Sequence, residues 1–280
     1  MNSRDNAAGP IGIFDSGVGG LSVFRAVRQL LPDEALIYLA DQAHVPYGLR
    51  SLTQVRAFSE SITHYLLAQG AKLIVVACNT ASAAALHNLR QVFPQVPFVG
   101  MEPAVKPAAE QTRSGVVGVL ATPATFQGEL YASVIERFAN DVTVLQDTCP
   151  GLVMEIDAGH LDTPGVRAIL GRALEPMLAK GIDTVVLGCT HFPFVIPTIE
   201  KIVGPEVRVI DPSPAIAHQV ERLLDANSLR NSSMAPSQER FFTTGDPDKL
   251  EGLLPKLLGE SAEVHKLSWD GFRLLEESQI

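Results

Sequence analysis

Two kinds of hydrophobic pattern alternate along the chain. Short runs at 11–14, 36–40 and 73–77 are apolar at nearly every position, which is typical of parallel strands covered on both faces. Longer segments between them, such as 51–69, carry apolar residues at helical spacing and end at a glycine, here Gly70. This alternation predicts an α/β fold built on parallel sheets.

The same order of strands and helices occurs twice, which indicates an internal repeat. The offset between matching positions is 106 for the first two pairs of segments and 111 for the last two. Four matches in the same order predict two related, pseudo-symmetric, doubly wound parallel-sheet domains, followed by a C-terminal addition. The paired segments are 11–16 with 117–122, 36–41 with 142–147, 70–78 with 181–189, and 96–104 with 207–215.

Composition and charge narrow the class of protein. The chain has 280 residues, of which 46% are hydrophobic and 19% charged, as expected of two folded domains of average size. Its net charge of -9 argues against a nucleic-acid partner. No apolar run reaches the roughly 18 residues that span a bilayer, and the polar first residues lack the apolar core of a secretory signal. We therefore expect no membrane partner either.

Three cysteines are present, Cys78, Cys149 and Cys189. So small and odd a number excludes a disulfide scaffold and favours a reducing, cytoplasmic location. Cys78 and Cys189 each follow a predicted buried strand, and the repeat makes their positions equivalent. Since ligands of open parallel sheets bind at the carboxyl ends of strands, we expect both thiols in one cleft between the domains. Cys149 has no counterpart and is predicted to be structural.

Two equivalent thiols on opposite sides of a ligand suit inversion at a carbon that bears an acidic hydrogen. One thiolate removes the proton from one face, and the other thiol delivers a proton to the opposite face. Each cysteine lies where a strand meets a helix or turn, so we expect helix N-termini to lower the thiol pKa. Asp15 and His191, at the predicted strand ends, are candidates to tune the thiols or to relay protons.

Other chemistries fit the sequence less well. The glycine-rich segment 17–20 is not a complete dinucleotide fingerprint, and no histidine and cysteine spacing matches a zinc site. No lysine lies at a predicted strand end where pyridoxal phosphate would bind, so we expect no cofactor and no metal. A hydrolase with one cysteine as nucleophile and His191 as base is an alternative that leaves the second thiol idle. A binding protein without turnover is a third alternative.

Five motifs resemble those of the glutamate racemases, within the aspartate/glutamate racemase family. The resemblance extends from about Gly12 to Leu267, and the motifs occur in the order found in that family. They are IFDSGVGGLS at 13–22, VPYG at 45–48, ACNTAS at 77–82, LGCTHFP at 187–193 and TTGDP at 243–247.

The resemblance implies a cofactor-independent racemase that interconverts L- and D-glutamate and supplies D-glutamate for peptidoglycan. It implies that Cys78 deprotonates D-glutamate and that Cys189 deprotonates L-glutamate. Asp15 would assist the first thiol and His191 the second, and both also belong to the implied substrate-binding set. The other members of that set are Ser16, Pro46, Tyr47, Gly48, Asn79, Thr80, Thr122, Thr125 and Thr190.

Three positions depart from the family pattern. Asp157 stands where the family commonly has a glutamate close to the histidine of the second thiol, and Glu155 lies near it in sequence. Gly128 replaces a common serine, and Met154 replaces a common proline. Asp157 is included among the catalytic candidates, and whether it or Glu155 supports His191 stays open.

The resemblance also implies the domain organisation and the partners. The first domain would comprise 1–104 plus 212–280, with 1–9 as a disordered tail, and the second would comprise 105–211. The substrate glutamate would bind between them, and the protein would form a homodimer. A sister racemase for aspartate or another amino acid shares the two-thiol logic and is the nearest alternative.

Overall fold

The structure is a computed structural model, and it describes residues 7–102, 104–139, 141–231 and 238–276. Of the predicted disordered tail, residues 1–6 lie outside the described residues. Ala7 is held in place, since its carbonyl oxygen accepts a hydrogen bond from Lys72 Nζ at 2.6 Å. The chain is therefore ordered at this point of the predicted tail.

Strands and helices alternate along the chain, and no helix in its described part is long and apolar enough to cross a membrane. The strands are β1 (Ile11–Asp15), β2 (Leu36–Ala40), β3 (Leu73–Val76), β4 (Phe98–Gly100), β5 (Val116–Ala121), β6 (Thr143–Asp147), β7 (Thr184–Gly188), β8 (Arg208–Ile210), β9 (Glu239–Thr243), β10 (Val264–Asp270) and β11 (Arg273–Glu276). The α-helices are α1 (Leu21–Leu30), α2 (Leu52–Ala68), α3 (Asn79–Val92), α4 (Val105–Gln111), α5 (Pro123–Phe126), α6 (Glu129–Phe138), α7 (Leu152–Asp157), α8 (Pro164–Leu178), α9 (Ile196–Val203), α10 (Ser213–Ala226) and α11 (Pro247–Leu257). Short 3₁₀ turns occur at Gln42–His44, Tyr47–Leu49 and Phe192–Val195.

The chain divides into two compact units. Unit 1 comprises Met1–Met101 and Ser213–Ile280, and unit 2 comprises Glu102–Pro212. Unit 1 is thus discontinuous in sequence, because the chain leaves it after β4 and returns to it at α10.

Unit 1 is built on a sheet with the strand order β11-β10-β9-β2-β1-β3-β4. Every residue of β1, β2 and β3 is buried, as the continuous apolar runs predict for parallel strands. Helices α2 and α3 contribute Phe58, Ile62, Ala85 and Leu89 to the same buried cluster as Ile74 of β3. The burial of these apolar side chains fixes the carboxyl ends of the strands, where the candidate residues lie.

Unit 2 repeats the central part of this sheet. Its strands are all parallel, in the order β6-β5-β7-β8, which matches β2-β1-β3-β4 of unit 1. Its core includes Val117 and Val119 of β5, Tyr131 of α6 and Val186 of β7. The predicted α/β fold with two related parallel-sheet halves is therefore confirmed.

The C-terminal addition continues the sheet of unit 1. Strand β9 pairs in parallel with β2, and β10 pairs in parallel with β9. Strand β11 then runs antiparallel to β10 as a hairpin. The addition therefore places Thr244 and Trp269 at the end of the sheet where β2 leads into the loop at 41–50.

Candidate active site

The glycine-rich loop after β1 folds around the carboxylate of Asp15. Asp15 is buried, its Oδ1 accepts the N–H of Ser16 at 2.6 Å, and its Oδ2 accepts the N–H of Gly20 at 2.5 Å. A Cβ atom at Gly20 would lie only 2.7 Å from Cβ of Asp15, so the close approach of the loop requires glycine. Asp15 thus holds the shape of the loop that carries Ser16.

Cys78 follows β3 and caps the N-terminus of α3. Its side chain is 6% exposed, its Sγ accepts the N–H of Ala81 at 3.5 Å, and Ser16 Oγ lies 3.8 Å away. Burial, followed by the Asp15 carboxylate, raises the pKa of Cys78 and outweighs the opposite effect of the Ala81 and Ser16 donors. The N–H of Ala81 at the helix N-terminus does lower this pKa, as expected, but the net shift is upward because burial and Asp15 have larger effects.

The first turn of α3 presents a hydrogen-bond donor that has no acceptor. The Nδ2 atom of Asn79 is buried and has no hydrogen-bond partner among the residues that the structure describes. A buried amide donor without an acceptor costs about 1–3 kcal/mol. An acceptor supplied by a ligand, such as a carboxylate oxygen, would remove that cost. Thr80 follows in the same turn.

Tyr47 lies in the same buried cluster as Cys78, within the segment that carries Pro46 and Gly48. Its hydroxyl donates a hydrogen bond to Asp41 Oδ2 at 2.6 Å. Burial and the Asp41 carboxylate raise the pKa of Tyr47 well above its usual value. Because the hydroxyl is committed to Asp41, Tyr47 and Gly48 can offer a substrate their backbone.

Cys189 follows β7 directly and has a base beside it. Its Sγ lies 3.8 Å from His191 Nδ1, while His191 Nε2 lies 3.1 Å from Asp157 Oδ1. Burial lowers the pKa of His191, but the hydrogen bonds to Asp157 and Cys189 raise it well above its usual value. The arrangement can hold an imidazolium next to a thiolate. Glu155 instead pairs with His160 at 2.9 Å, so the structure places Asp157, and not Glu155, against His191.

The two threonines of the second half lie at the start of α5. Thr122 Oγ1 and Thr125 Oγ1 lie 3.2 Å apart, and Thr125 Oγ1 is 3.5 Å from the carbonyl oxygen of Gly188, next to Cys189. Thr190, which lies between Cys189 and His191 in the sequence, is also buried. Unit 2 thus gathers its candidates around Cys189, as unit 1 gathers Asp15, Ser16, Tyr47 and Asn79 around Cys78.

Cys149 lies close enough to Cys189 for the two thiols to interact electrostatically. It is buried, its backbone has a positive φ of 43°, and its N–H donates to Asp147 Oδ1 at 2.7 Å. Burial and the nearby Asp147 raise the pKa of this thiol. Its structural role stays a prediction. All three cysteines are free thiols.

Sequence reasoning missed three residues next to this site, Asp41, Thr244 and Trp269. Asp41 is fully buried and accepts hydrogen bonds from Tyr47, Thr244 and Trp269. Two signals were available: an acidic residue directly after the buried strand β2, and the position of Thr244 in the motif at 243–247. Within the described residues, no group of three histidine, cysteine or acidic side chains is arranged to hold a metal ion.

Comparison with known proteins defines the class of this protein: it is an isomerase, an amino-acid racemase, as predicted. More particularly, the chain belongs to the Asp/Glu/Hydantoin racemase family, whose model matches residues 12–220. The glutamate racemase of Ectopseudomonas mendocina is 52% identical over 256 residues, which cover 91% of this chain and 97% of that relative.

Solved structures agree with this assignment. The crystal structure of Escherichia coli glutamate racemase, in complex with L-glutamate and the activator UDP-MurNAc-Ala, has a TM-score of 0.83 at 35% identity and covers 94% of this chain and 99% of that chain. The glutamate racemase of Francisella tularensis, in complex with D-glutamate, has a TM-score of 0.80 at 31% identity, with 94% and 98% coverage.

Proposed function

We propose that the protein is a cofactor-independent glutamate racemase that uses Cys78 and Cys189 as its two bases. The observation that carries this proposal is the equivalent placement of the two thiols. Cys78 follows β3, the neighbour of β1, and Cys189 follows β7, the neighbour of β5. Relatives that are about half identical and named glutamate racemase support glutamate as the substrate.

The proton transfers balance between the two sulfurs. In the L-to-D direction, the Cys189 thiolate takes the proton from Cα, so a C–H bond breaks and an S–H bond forms. The Cys78 thiol gives its proton to the opposite face of Cα and becomes a thiolate. The D-to-L direction uses the reverse roles, and proton exchange with water resets the pair for another turnover in the same direction.

The surroundings of each thiol suit the roles needed for L-glutamate. The imidazolium of His191, held by Asp157, stabilises a thiolate at Cys189. Burial and the Asp15 carboxylate keep Cys78 as the neutral thiol, since both raise its pKa.

We further propose that residues 1–104 plus 212–280 form one domain and residues 105–211 the other, and that each domain supplies its candidate residues to the substrate. The unpartnered amide of Asn79 would donate to a substrate carboxylate. Hydroxyls and backbone N–H groups of the remaining candidates would complete the binding without strong cations and would stabilise the carbanion-like transition state. These candidates are Ser16, Pro46, Tyr47, Gly48, Thr80, Thr122, Thr125, Thr190 and His191.

The cellular context follows from this chemistry and from the family resemblance. D-Glutamate from this reaction would supply peptidoglycan synthesis. Both thiols must stay reduced, which fits a cytoplasmic enzyme with three free cysteines. We expect a homodimer, which sedimentation equilibrium would test.

The test is incubation of L-glutamate with the enzyme in deuterium oxide, without added cofactor. Circular dichroism should decay to zero, and the product should carry deuterium at Cα. The same assay with aspartate distinguishes a glutamate racemase from an aspartate racemase, because a glutamate racemase should convert aspartate far more slowly than glutamate. Absence of both optical change and exchange with either enantiomer of glutamate would refute the proposal.

A further inference from the structure

A fully buried carboxylate at the end of β2 stands apart from the groups assigned to catalysis. Asp41 Oδ1 accepts hydrogen bonds from Thr244 Oγ1 and Trp269 Nε1, both at 2.8 Å. Asp41 Oδ2 accepts the Tyr47 hydroxyl at 2.6 Å, and His44 Nδ1 lies 3.0 Å from the same oxygen. These five residues are called the Asp41 cluster below.

The Asp41 cluster joins segments that are far apart in sequence. Tyr47 and His44 belong to the loop after β2, Thr244 follows β9, and Trp269 lies in β10. Further contacts join the same segments: the N–H of Thr244 donates to the carbonyl oxygen of Ala40, at the end of β2, at 3.0 Å. The loop after β2 is thus fixed to the C-terminal strands through one carboxylate.

Stability alone explains this arrangement poorly. A buried charge costs several kcal/mol unless hydrogen bonds compensate it, and apolar residues of similar volume often stabilise a fold better. Among the described residues, the one basic side chain paired with Asp41 is His44. Such a costly group is suited to fixing the position of its donors rather than to strengthening the core.

We propose that Asp41 is a positioning residue for the segment 46–48, which it holds through the hydroxyl of Tyr47. This inference rests on the proposed function, in which that segment binds glutamate. The 3₁₀ turn Tyr47–Leu49 packs against α3, the helix that Cys78 caps, and Tyr47 shares a buried cluster with Cys78. A shift of the Tyr47 ring would therefore move backbone that faces the substrate.

Asp41 acts in parallel with Asp15 on the neighbouring strand. Asp15 ends β1 and holds the loop at 16–20, while Asp41 follows β2 and holds the loop at 42–48. The N–H of Asp41 donates to the carbonyl oxygen of Asp15 at 2.9 Å, so the two loops are also tied to each other. In this arrangement, each of two adjacent strands uses one buried carboxylate to shape one binding loop.

The test compares Asp41→Asn with Lys72→Met, a control variant near the opposite end of the sheet. Asp41→Asn replaces one acceptor oxygen by an NH2 donor, so partners that now donate would have to reverse or lose their hydrogen bonds. KM for both enantiomers should therefore rise about 10-fold or more while kcat changes less than about 3-fold. Lys72→Met should lower the melting temperature and leave KM unchanged. An unchanged KM in Asp41→Asn, or an equal rise in both variants, would overturn the proposal.

Two milder variants decide the matter if Asp41→Asn does not fold. Thr244→Val removes one donor and keeps the shape of the side chain, while Trp269→Phe removes the indole N–H and keeps a smaller aromatic ring. Each should raise KM about 2- to 5-fold. Unchanged KM in both would overturn the proposal.

A readout besides activity comes from Trp269, the single tryptophan of the chain. Its emission should shift when D- or L-glutamate is added to the wild-type enzyme, and the shift should vanish in Asp41→Asn. If the wild-type enzyme fails to racemise glutamate, the proposed function fails. The positioning role of Asp41 is then tested by amide hydrogen exchange at 42–48. Exchange should be faster in Asp41→Asn than in the wild type and unchanged in Lys72→Met. Equal exchange rates in the two variants would refute the positioning role.

Discussion

Cys78 and Cys189 end equivalent strands but lie in chemically opposite surroundings. Beside Cys189 stands a histidine with a carboxylate behind it, whereas the neighbours of Cys78 are a hydroxyl, a backbone N–H and the Asp15 carboxylate. Burial and the Asp15 carboxylate raise the pKa of Cys78, whereas Cys189 has an imidazole within hydrogen-bonding reach. The duplicated fold thus supplies equivalent positions, and in the proposed mechanism a few side chains after each strand would give the two thiols different roles for L-glutamate.

Replacing either cysteine by serine should have the largest effect on the rate of racemisation. Racemisation should fall by more than about 10³-fold in Cys78→Ser and in Cys189→Ser, because a hydroxyl is far harder to deprotonate than a thiol. Each variant should still exchange the Cα proton of one enantiomer, L-glutamate in Cys78→Ser and D-glutamate in Cys189→Ser. Proton NMR in deuterium oxide measures this. Cys149→Ser is the matched control, and exchange of both enantiomers by one active-site variant would contradict the scheme.

Removing the histidine tests whether the difference between the thiols is functional. In His191→Asn, the rate of L-glutamate exchange through Cys189 should fall by about 10²-fold, and in Asp157→Asn by about 10-fold. Overall kcat/KM must fall equally in both directions, since the equilibrium between enantiomers is fixed at unity. D-Glutamate exchange through Cys78 should persist. Equal loss of exchange for both enantiomers would show that His191 does not act on Cys189 alone.

The rates at which the two thiols are alkylated at different pH values compare their reactivity in the absence of substrate. Both thiols are 6% exposed, so differences in rate report mainly the thiolate fraction. At neutral pH, iodoacetamide should modify Cys189 faster than Cys78, as followed by peptide mass mapping. The raised pKa of Cys78 means that its rate should keep rising far into the alkaline range. As His191 deprotonates at high pH, the advantage of Cys189 should shrink, and equal profiles would contradict the account.

A substitution at the amino ends of the strands should have the smallest effect on the difference between the two thiols. Lys72 and Glu34 form a buried ion pair there, and Glu34 Oε1 also accepts the N–H of Asn231 at 2.9 Å. Lys72→Met would leave Glu34 as an unpaired buried charge and lower the free energy of unfolding by about 3–5 kcal/mol. Urea denaturation measures this loss. The ratio of alkylation rates at the two thiols should stay unchanged, and a changed ratio would link it to general stability.

The positions of the two thiols could be predicted from the sequence because they follow from periodicity. Runs that are apolar at every position mark buried parallel strands, and the repeat aligns the residue after β3 with the residue after β7. The choice between Asp157 and Glu155 could not be made in this way. Residues two apart on a helix point about 200° away from each other, so the orientation of α7 decides which carboxylate meets His191.

The Asp41 cluster and the protonation of Cys78 were beyond reach for a different reason. Thr244 and Trp269 reach Asp41 only because β9 and β10 extend the sheet past β2, and no local pattern encodes that pairing. The raised pKa of Cys78 depends first on the burial of the thiol itself and then on the Asp15 carboxylate beside it. From motif and spacing we could infer only that a helix N-terminus lies beside Cys78, and a helix N-terminus lowers the pKa of a thiol.

The central claim is that the two thiols act on opposite faces of one carbon. Its most direct test is early turnover of L-glutamate in deuterium oxide, with deuterium content measured separately in recovered L-glutamate and in newly formed D-glutamate. The account predicts one deuterium at Cα of the D-glutamate and none in the recovered L-glutamate, because Cys78 delivers a solvent-derived deuteron. D-Glutamate that retains the original hydrogen would show a single base returning the same proton, and would contradict the account.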